Sequence, residues 1–184
     1  SVAYSASANG SAVTAVEYSL DSGTTWIRST ATTSPFVITG LSNGTSYSPQ
    51  IRLVNAAGVG ATVNGAATIP FTTPFAPAIT SVTTTSTSLT MNFTVNSGGN
   101  SVTHISHRIR SVAAPSNGTA CAVAYATLNW SNNWSSWTEV AVTNSLLFDN
   151  LLTSNCYDIQ IMAKNAAGYG GGSRESGKPV APPR

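Results

Sequence analysis

Apolar and polar residues alternate along most of this chain, and the alternation predicts β-strands. Tyr47, Pro49, Ile51 and Leu53 fall on one face of an extended segment, with Ser48, Gln50 and Arg52 on the other. Farther along, Tyr157, Ile159, Ile161 and Ala163 oppose Asp158, Gln160, Met162 and Lys164. Val16, Tyr18 and Leu20 repeat the pattern, as do Ile105, His107 and Ile109, and Leu89, Met91, Phe93 and Val95. Successive side chains of a strand point to opposite faces, so a period of two with one apolar side predicts half-buried antiparallel strands. Asp21-Ser22-Gly23, Ser42-Asn43-Gly44 and Ser97-Gly98-Gly99-Asn100 punctuate them with turn signals. No run combines a 3.6-residue period with helix caps. Short strands at regular spacing predict an all-β fold of antiparallel sandwiches, the inward positions of two sheets forming each core.

The pattern is used twice. Leu41, Tyr47, Ile51 and Asn55-Ala56-Ala57-Gly58 return 110 residues later as Leu151, Tyr157, Ile161 and Asn165-Ala166-Ala167-Gly168. Upstream the offset is 89: Val2-Ala3-Tyr4 precedes Met91-Asn92-Phe93, and Val13-Thr14 precedes Val102-Thr103. One supersecondary plan used twice fixes the architecture. The difference between the offsets implies about 21 extra residues in the second copy, between Ile109 and Trp137. The predicted domains are residues 1–73 and 74–184, the second with an insertion at about 111–136.

Leu41, then Tyr47, then alternating apolar residues, then Asn55-Ala56-Ala57-Gly58 resembles the E–F corner, strand F and F–G turn of a fibronectin type III domain. Leu151, Tyr157 and Asn165-Ala166-Ala167-Gly168 match equally. Each tyrosine is similar to the tyrosine corner, whose hydroxyl bonds back to the backbone. The segment from Tyr18 to Trp26 resembles strand C and its turn in repeats common on bacterial surface proteins, and Pro74, Pro77 and Ile79 resemble a junction running into strand A. The resemblance implies two tandem fibronectin type III-like sandwiches, of the bacterial surface-protein or virion-fibre type.

The first copy departs from that plan. Val2 aligns with Met91 in strand B, so nothing corresponds to residues 76–90, and strand A of the first sandwich is absent. An incomplete sandwich leaves a sheet edge open to pairing. A longer parent chain is the expected explanation, and a strand donated by a neighbouring subunit is the alternative.

Charge narrows the function classes. Eight basic and six acidic residues make 8% of the chain, against about 25% in an average soluble protein. Solubility therefore rests on hydroxyl and amide side chains. A net charge of +2 with no basic run gives no electrostatic footprint for nucleic acid. Arg108 and Arg110 are the largest local cluster and read as a solvated strand face. No stretch approaches 18 apolar residues, so no membrane insertion is expected. A composition rich in Ser and Thr with two cysteines points to an extracellular or cell-surface location, with a virion as the alternative.

The insertion is where specificity is expected. It holds Cys121, Tyr125, Trp130 and Trp134. Tyr125, Trp130 and Trp134 are the candidate anchors for a protein or glycan partner, because aromatic rings stack on sugars and anchor interfaces. Packed inward, the same rings would form a small core of the insertion, the commoner fate of aromatic residues. Trp137 aligns with Trp26 and reads as structural. Trp134-Ser135-Ser136-Trp137-Thr138 resembles the Trp-Ser-x-Trp-Ser box of cytokine receptors in spelling, but it precedes a different strand. Cys121 and Cys156 are the only cysteines, 35 residues apart, and a disulfide between them would contribute about 3–4 kcal/mol while pinning the insertion to strand F. Asn117, Asn129 and Asn133 are sequons in the insertion and candidate glycosylation sites.

Catalysis finds little support. His104 and His107 are three apart on a strand and point to opposite faces, so no metal site is expected, and His107 takes the inward place of Tyr18 as a packing histidine. No paired carboxylates, nucleophile elbow, P-loop or dinucleotide fingerprint occurs, so neither enzyme nor cofactor is expected. Three classes remain: a non-catalytic adhesive or spacing module in a surface protein, a virion or filament component contacting neighbouring copies, and accessory domains of a secreted carbohydrate-active enzyme.

Overall fold

Twelve β-strands, all paired antiparallel, are the named elements of the computed structural model, which describes residues 1–6, 10–115, 121 and 133–180. They fall into two compact units, Ser1–Phe71 and Thr72–Arg184.

The second unit is a two-layer sandwich. β6 (Ala78–Thr84), β7 (Leu89–Thr94) and β10 (Ser145–Phe148) form one sheet in the order β10-β7-β6. β8 (His104–Ala113), β9 (Thr138–Ala141), β11 (Asn155–Asn165) and β12 (Gly168–Gly177) form the other, ordered β12-β11-β8-β9. The period-two apolar faces meet between them. Leu89, Met91 and Phe93 of β7 pack with Ile105, Leu146, Phe148, Tyr157, Ile159, Ile161 and Ala163. Burying a side chain of this size stabilises the fold by roughly 1.5–3 kcal/mol, so this interdigitated layer is the main source of unit 2 stability. His107 packs edge-on against Phe148 with ring centroids 5.2 Å apart. Its packing place is as expected, but its Nδ1 is buried with no hydrogen-bond partner among the described residues.

The first unit uses the same register with fewer strands. β1 (Ala15–Ser19), β2 (Ile27–Ser29), β3 (Gln50–Asn55) and β4 (Gly58–Val59) order as β2-β1-β3-β4, and β5 (Val63–Asn64) also pairs with β3. Val54↔Val59 and Ile51↔Val63 repeat Lys164↔Tyr169 and Ile161↔Ser173 of the second unit at the 110-residue offset. Both F–G turns carry glycine at positive φ, Gly58 at 126° and Gly168 at 119°, which a side chain would strain. Across from this first-unit sheet, among the described residues, Val2 and Phe36 form an antiparallel bridge with backbone hydrogen bonds of 2.8 and 3.0 Å. Val16, Phe36 and Ile51 are the buried core, with Val2, Tyr4, Tyr18 and Leu53 packed around them. No strand lies on the other edge of Val2–Tyr4 among the described residues.

Both tyrosine corners are formed. The Tyr47 hydroxyl accepts from the backbone N–H of Ser42 at 3.0 Å, and Tyr157 accepts from Leu152 at 2.7 Å. Each ties the loop entering strand F back onto the strand, the arrangement the fibronectin type III-like plan requires.

Candidate functional site

The outer face of the β12-β11-β8-β9 sheet is where the insertion meets the sandwich. Alternation puts Arg108 and Arg110 on one side of β8, and the register sets them opposite Gln160 and Asp158 of β11. β12 adds Arg174 opposite Gln160. Arg110 Nε donates to Asp158 Oδ2 at 2.7 Å, and Arg174 donates to the same oxygen at 2.6 Å. Arg108 donates through two nitrogens to Gln160 Oε1, at 2.9 and 2.7 Å.

Two tryptophans lie over these guanidinium groups. The Trp134 ring is 4.5 Å from Arg108, 4.5 Å from Arg110 and 5.5 Å from Arg174, measured from guanidinium carbon to ring centroid. Trp137 lies 4.6 Å from Arg108, so Arg108 touches both rings. A guanidinium within about 6 Å of an indole face is attracted by the ring quadrupole, by roughly 0.5–2 kcal/mol each. Ser135, between the tryptophans, fixes the segment to the sheet edge. Its N–H donates to the Ile109 carbonyl at 2.8 Å, and its hydroxyl accepts from the Ile109 N–H at 3.0 Å. The insertion is fastened at a second point by the disulfide joining Cys121 to Cys156, Cα atoms 5.6 Å apart.

Two sequence readings are corrected here. Asp158 falls on the polar side of β11, yet its side chain is fully buried. The Arg108–Arg110 face is not simply solvated either, for the Arg110 side chain is only 9% exposed. The physical reason is the same for both: arginine stems and indole rings cover the sheet's second face, and the two guanidinium groups compensate the buried carboxylate. Burial pushes the Asp158 carboxyl above its ordinary range, against the pull of Arg110, and depresses Arg174 with help from its cationic neighbours. Breaking such a pair would strand a charge in a dry place, so it fixes the geometry of this face whatever its net worth.

The expected anchors fare differently. Trp134 is half-buried in the stack described above, and Asn133 beside it is exposed. Tyr125, Trp130, Asn117 and Asn129 lie outside the described residues. Trp137, read as structural, is 37% exposed and forms the outer layer over Arg108. Sequence reasoning passed over Arg174 and placed Asp158 only on the polar face of its strand. The signal was present in part: Arg108 and Arg110 share a face by alternation, and two tryptophans three apart follow at the insertion's end. What was missing was the register that brings β11 and β12 alongside.

A shallow recess of about 280 Å³ opens beside this cluster, lined by Asp158, Arg174, Glu175 and Ser176. Among the described residues no three His, Cys, Asp or Glu side chains gather as metal ligands. The face therefore presents indole surfaces and the partly exposed Arg174 guanidinium around a carboxylate that is itself fully buried.

No family model matches the chain, and no curated protein does. Among solved structures it is similar to the crystal structure of the chicken CNTN1 FN1-FN3 domains, at 18% identity and a TM-score of 0.41. The match covers 90% of this chain and 54% of that one, so the chain spans about half the length of the solved protein.

Proposed function

We propose that this chain is a non-catalytic structural and adhesive module that works outside the cell, spacing and presenting a binding surface within a larger assembly. The observation that carries the reading is the double fastening of the insertion. The disulfide ties it to β11, and the Trp134–Trp137 segment is stacked and hydrogen-bonded onto β8. A binding surface gains affinity when its groups are held in place before the partner arrives. The disulfide also suits an oxidising compartment. The partner class is a protein or glycan met through Trp137, the exposed edge of Trp134 and Arg174.

The test is to measure stability and binding on the same variants. Trp137→Ala should leave the unit 2 melting transition within a few degrees of the parent. The same change should abolish retention on glycan arrays or on the surface of cells or particles that hold the parent chain. Unchanged binding by both Trp137→Ala and Arg174→Ala would overturn the reading.

A further inference from the structure

The two sheets of unit 2 differ in charge. No Asp, Glu, Lys or Arg occurs in β6, β7 or β10. The charged side chains of its strands all lie on the other sheet, β12-β11-β8-β9. Register divides that set again. Glu139 stands opposite Ser106, away from the tryptophans, and accepts from Lys164 at 3.3 Å and from the Tyr169 hydroxyl. Glu175 pairs with the core residue Ile159, so alternation turns it to the opposite side of β12 from Arg174. Beside the tryptophans this leaves Arg108, Arg110 and Arg174 around the single carboxylate of Asp158.

That end of the face therefore carries surplus positive charge. Arg110 and Arg174 both donate to Asp158 Oδ2, whereas Arg108 is held by the neutral amide of Gln160. Arg174 feels the excess, its basicity depressed first by burial and then by Arg110 and Arg108. An anion at its outer side would relieve that repulsion. A guanidinium fork matches a carboxylate in plane and spacing, and this cluster already holds one carboxylate inside the fold. Arg174 is reachable, with 44% of its side chain exposed at the recess of about 280 Å³. Pockets that enclose a drug-sized ligand run to roughly 300–1,000 Å³, so this recess suits one ring of a chain rather than a whole small molecule. Trp134 and Arg108 connect Arg174 to the indole of Trp137, which is 37% exposed and offers an apolar platform.

Resting on the adhesive reading above, we propose that the partner is an acidic polysaccharide, one carboxylated pyranose bound by Arg174 at the recess and a neighbouring ring stacked on Trp137. The carboxylate brings charge-assisted hydrogen bonds, which select acidic from neutral sugars. The ring on the indole brings apolar contact that does not depend on charge. An acidic peptide would meet the same guanidinium groups, but it has no rigid ring to lie on the indole, so its binding would not depend on Trp137.

The full chain is titrated calorimetrically with oligogalacturonate and with oligosialate, each beside its methyl ester, which keeps the rings and removes the charge. At least one acid is expected to saturate at millimolar concentration or below. Its ester should bind at least about tenfold more weakly, and the acid's affinity should fall as salt rises. Trp137→Ala should weaken acid and ester alike. Arg174→Gln should bring the acid down to the level of the ester, and Arg174→Lys should recover only part, because an ammonium lacks the planar fork. The ester comparison uses the parent chain, so it holds whatever Arg174→Gln does to the Asp158 pairing. Three results would overturn the proposal: neither acid saturates, an ester matches its acid, or oligoglutamate binds as tightly as the acids with no loss in Trp137→Ala. In each case, retention on cells or arrays that is still lost in Trp137→Ala leaves the adhesive reading standing. Retention unchanged in both Trp137→Ala and Arg174→Ala brings that reading down as well.

Discussion

The hydroxyl of Tyr157 accepts a hydrogen bond from the backbone N–H of Leu152, five residues earlier, at 2.7 Å. Tyr47 and Ser42 make the same contact at 3.0 Å in the other unit. Tyr157→Phe keeps the ring in the core and removes only this bond. It should lower unit 2 stability by about 1 kcal/mol, measured by chemical denaturation with the slope unchanged. A loss near zero would mean that water replaces the phenol at no cost.

Unit 1 should unfold first. Its buried core is Val16, Phe36 and Ile51, against ten buried residues in unit 2, so less apolar surface opposes chain entropy. Calorimetry of the full chain should give two transitions. Tyr18 fluorescence quenching and amide exchange should assign the lower one to residues 1–71. Simultaneous loss of both units would contradict this.

The buried carboxylate gives a sharper test. Arg110→Met keeps the apolar stem but removes one guanidinium from Asp158, leaving Arg174 at 2.6 Å. Destabilisation of about 2–4 kcal/mol is expected, below the full cost of stranding a buried charge because Arg174 stays. The double variant Arg110→Met, Asp158→Leu should recover part of it. Absence of any recovery would show that Asp158 has a role independent of Arg110.

Removing the disulfide should loosen the insertion more than the sandwich. Replacing both Cys121 and Cys156 by Ala should cost about 3–4 kcal/mol in the loop-entropy model, less where the unfolded chain retains structure. Peptide mapping without reduction should return the linked pair. Amide exchange of the double variant should rise around residues 133–137 before it rises in β11.

His107 should make unit 2 pH-sensitive on the acid side of neutrality. Burial against Phe148 depresses its basicity below the ordinary value of 6.5. The unfolded chain therefore binds the proton more readily. Stability from this residue is full above pH 6.5 and falls as pH drops through the folded-state value. His107→Phe should flatten the stability profile below pH 6.5, as read from denaturation midpoints. An unchanged profile would show that the proton is taken up elsewhere.

Much of this was legible in the sequence. Period-two alternation marked β3, β7, β8 and β11, because a side chain's face is set by its position along an extended backbone. The 89- and 110-residue offsets carried the register, since a pairing shifted by one residue would turn every apolar side chain outward. Tyr47, Tyr157 and the two cysteines were readable for the same reason: their bonding geometry depends on local position and on one pairing. Alternation, however, says which face a residue is on and nothing about what lies above that face. Only the tertiary structure decided that Asp158, on the polar side of β11, is buried, because Arg110, Arg174 and Trp134 arrive from three other segments. Only it showed Trp137 as the outer layer over Arg108. The cavity beside Val2 and Val63 likewise acquired walls and a volume only when β5 and the Val2–Phe36 bridge were placed near one another.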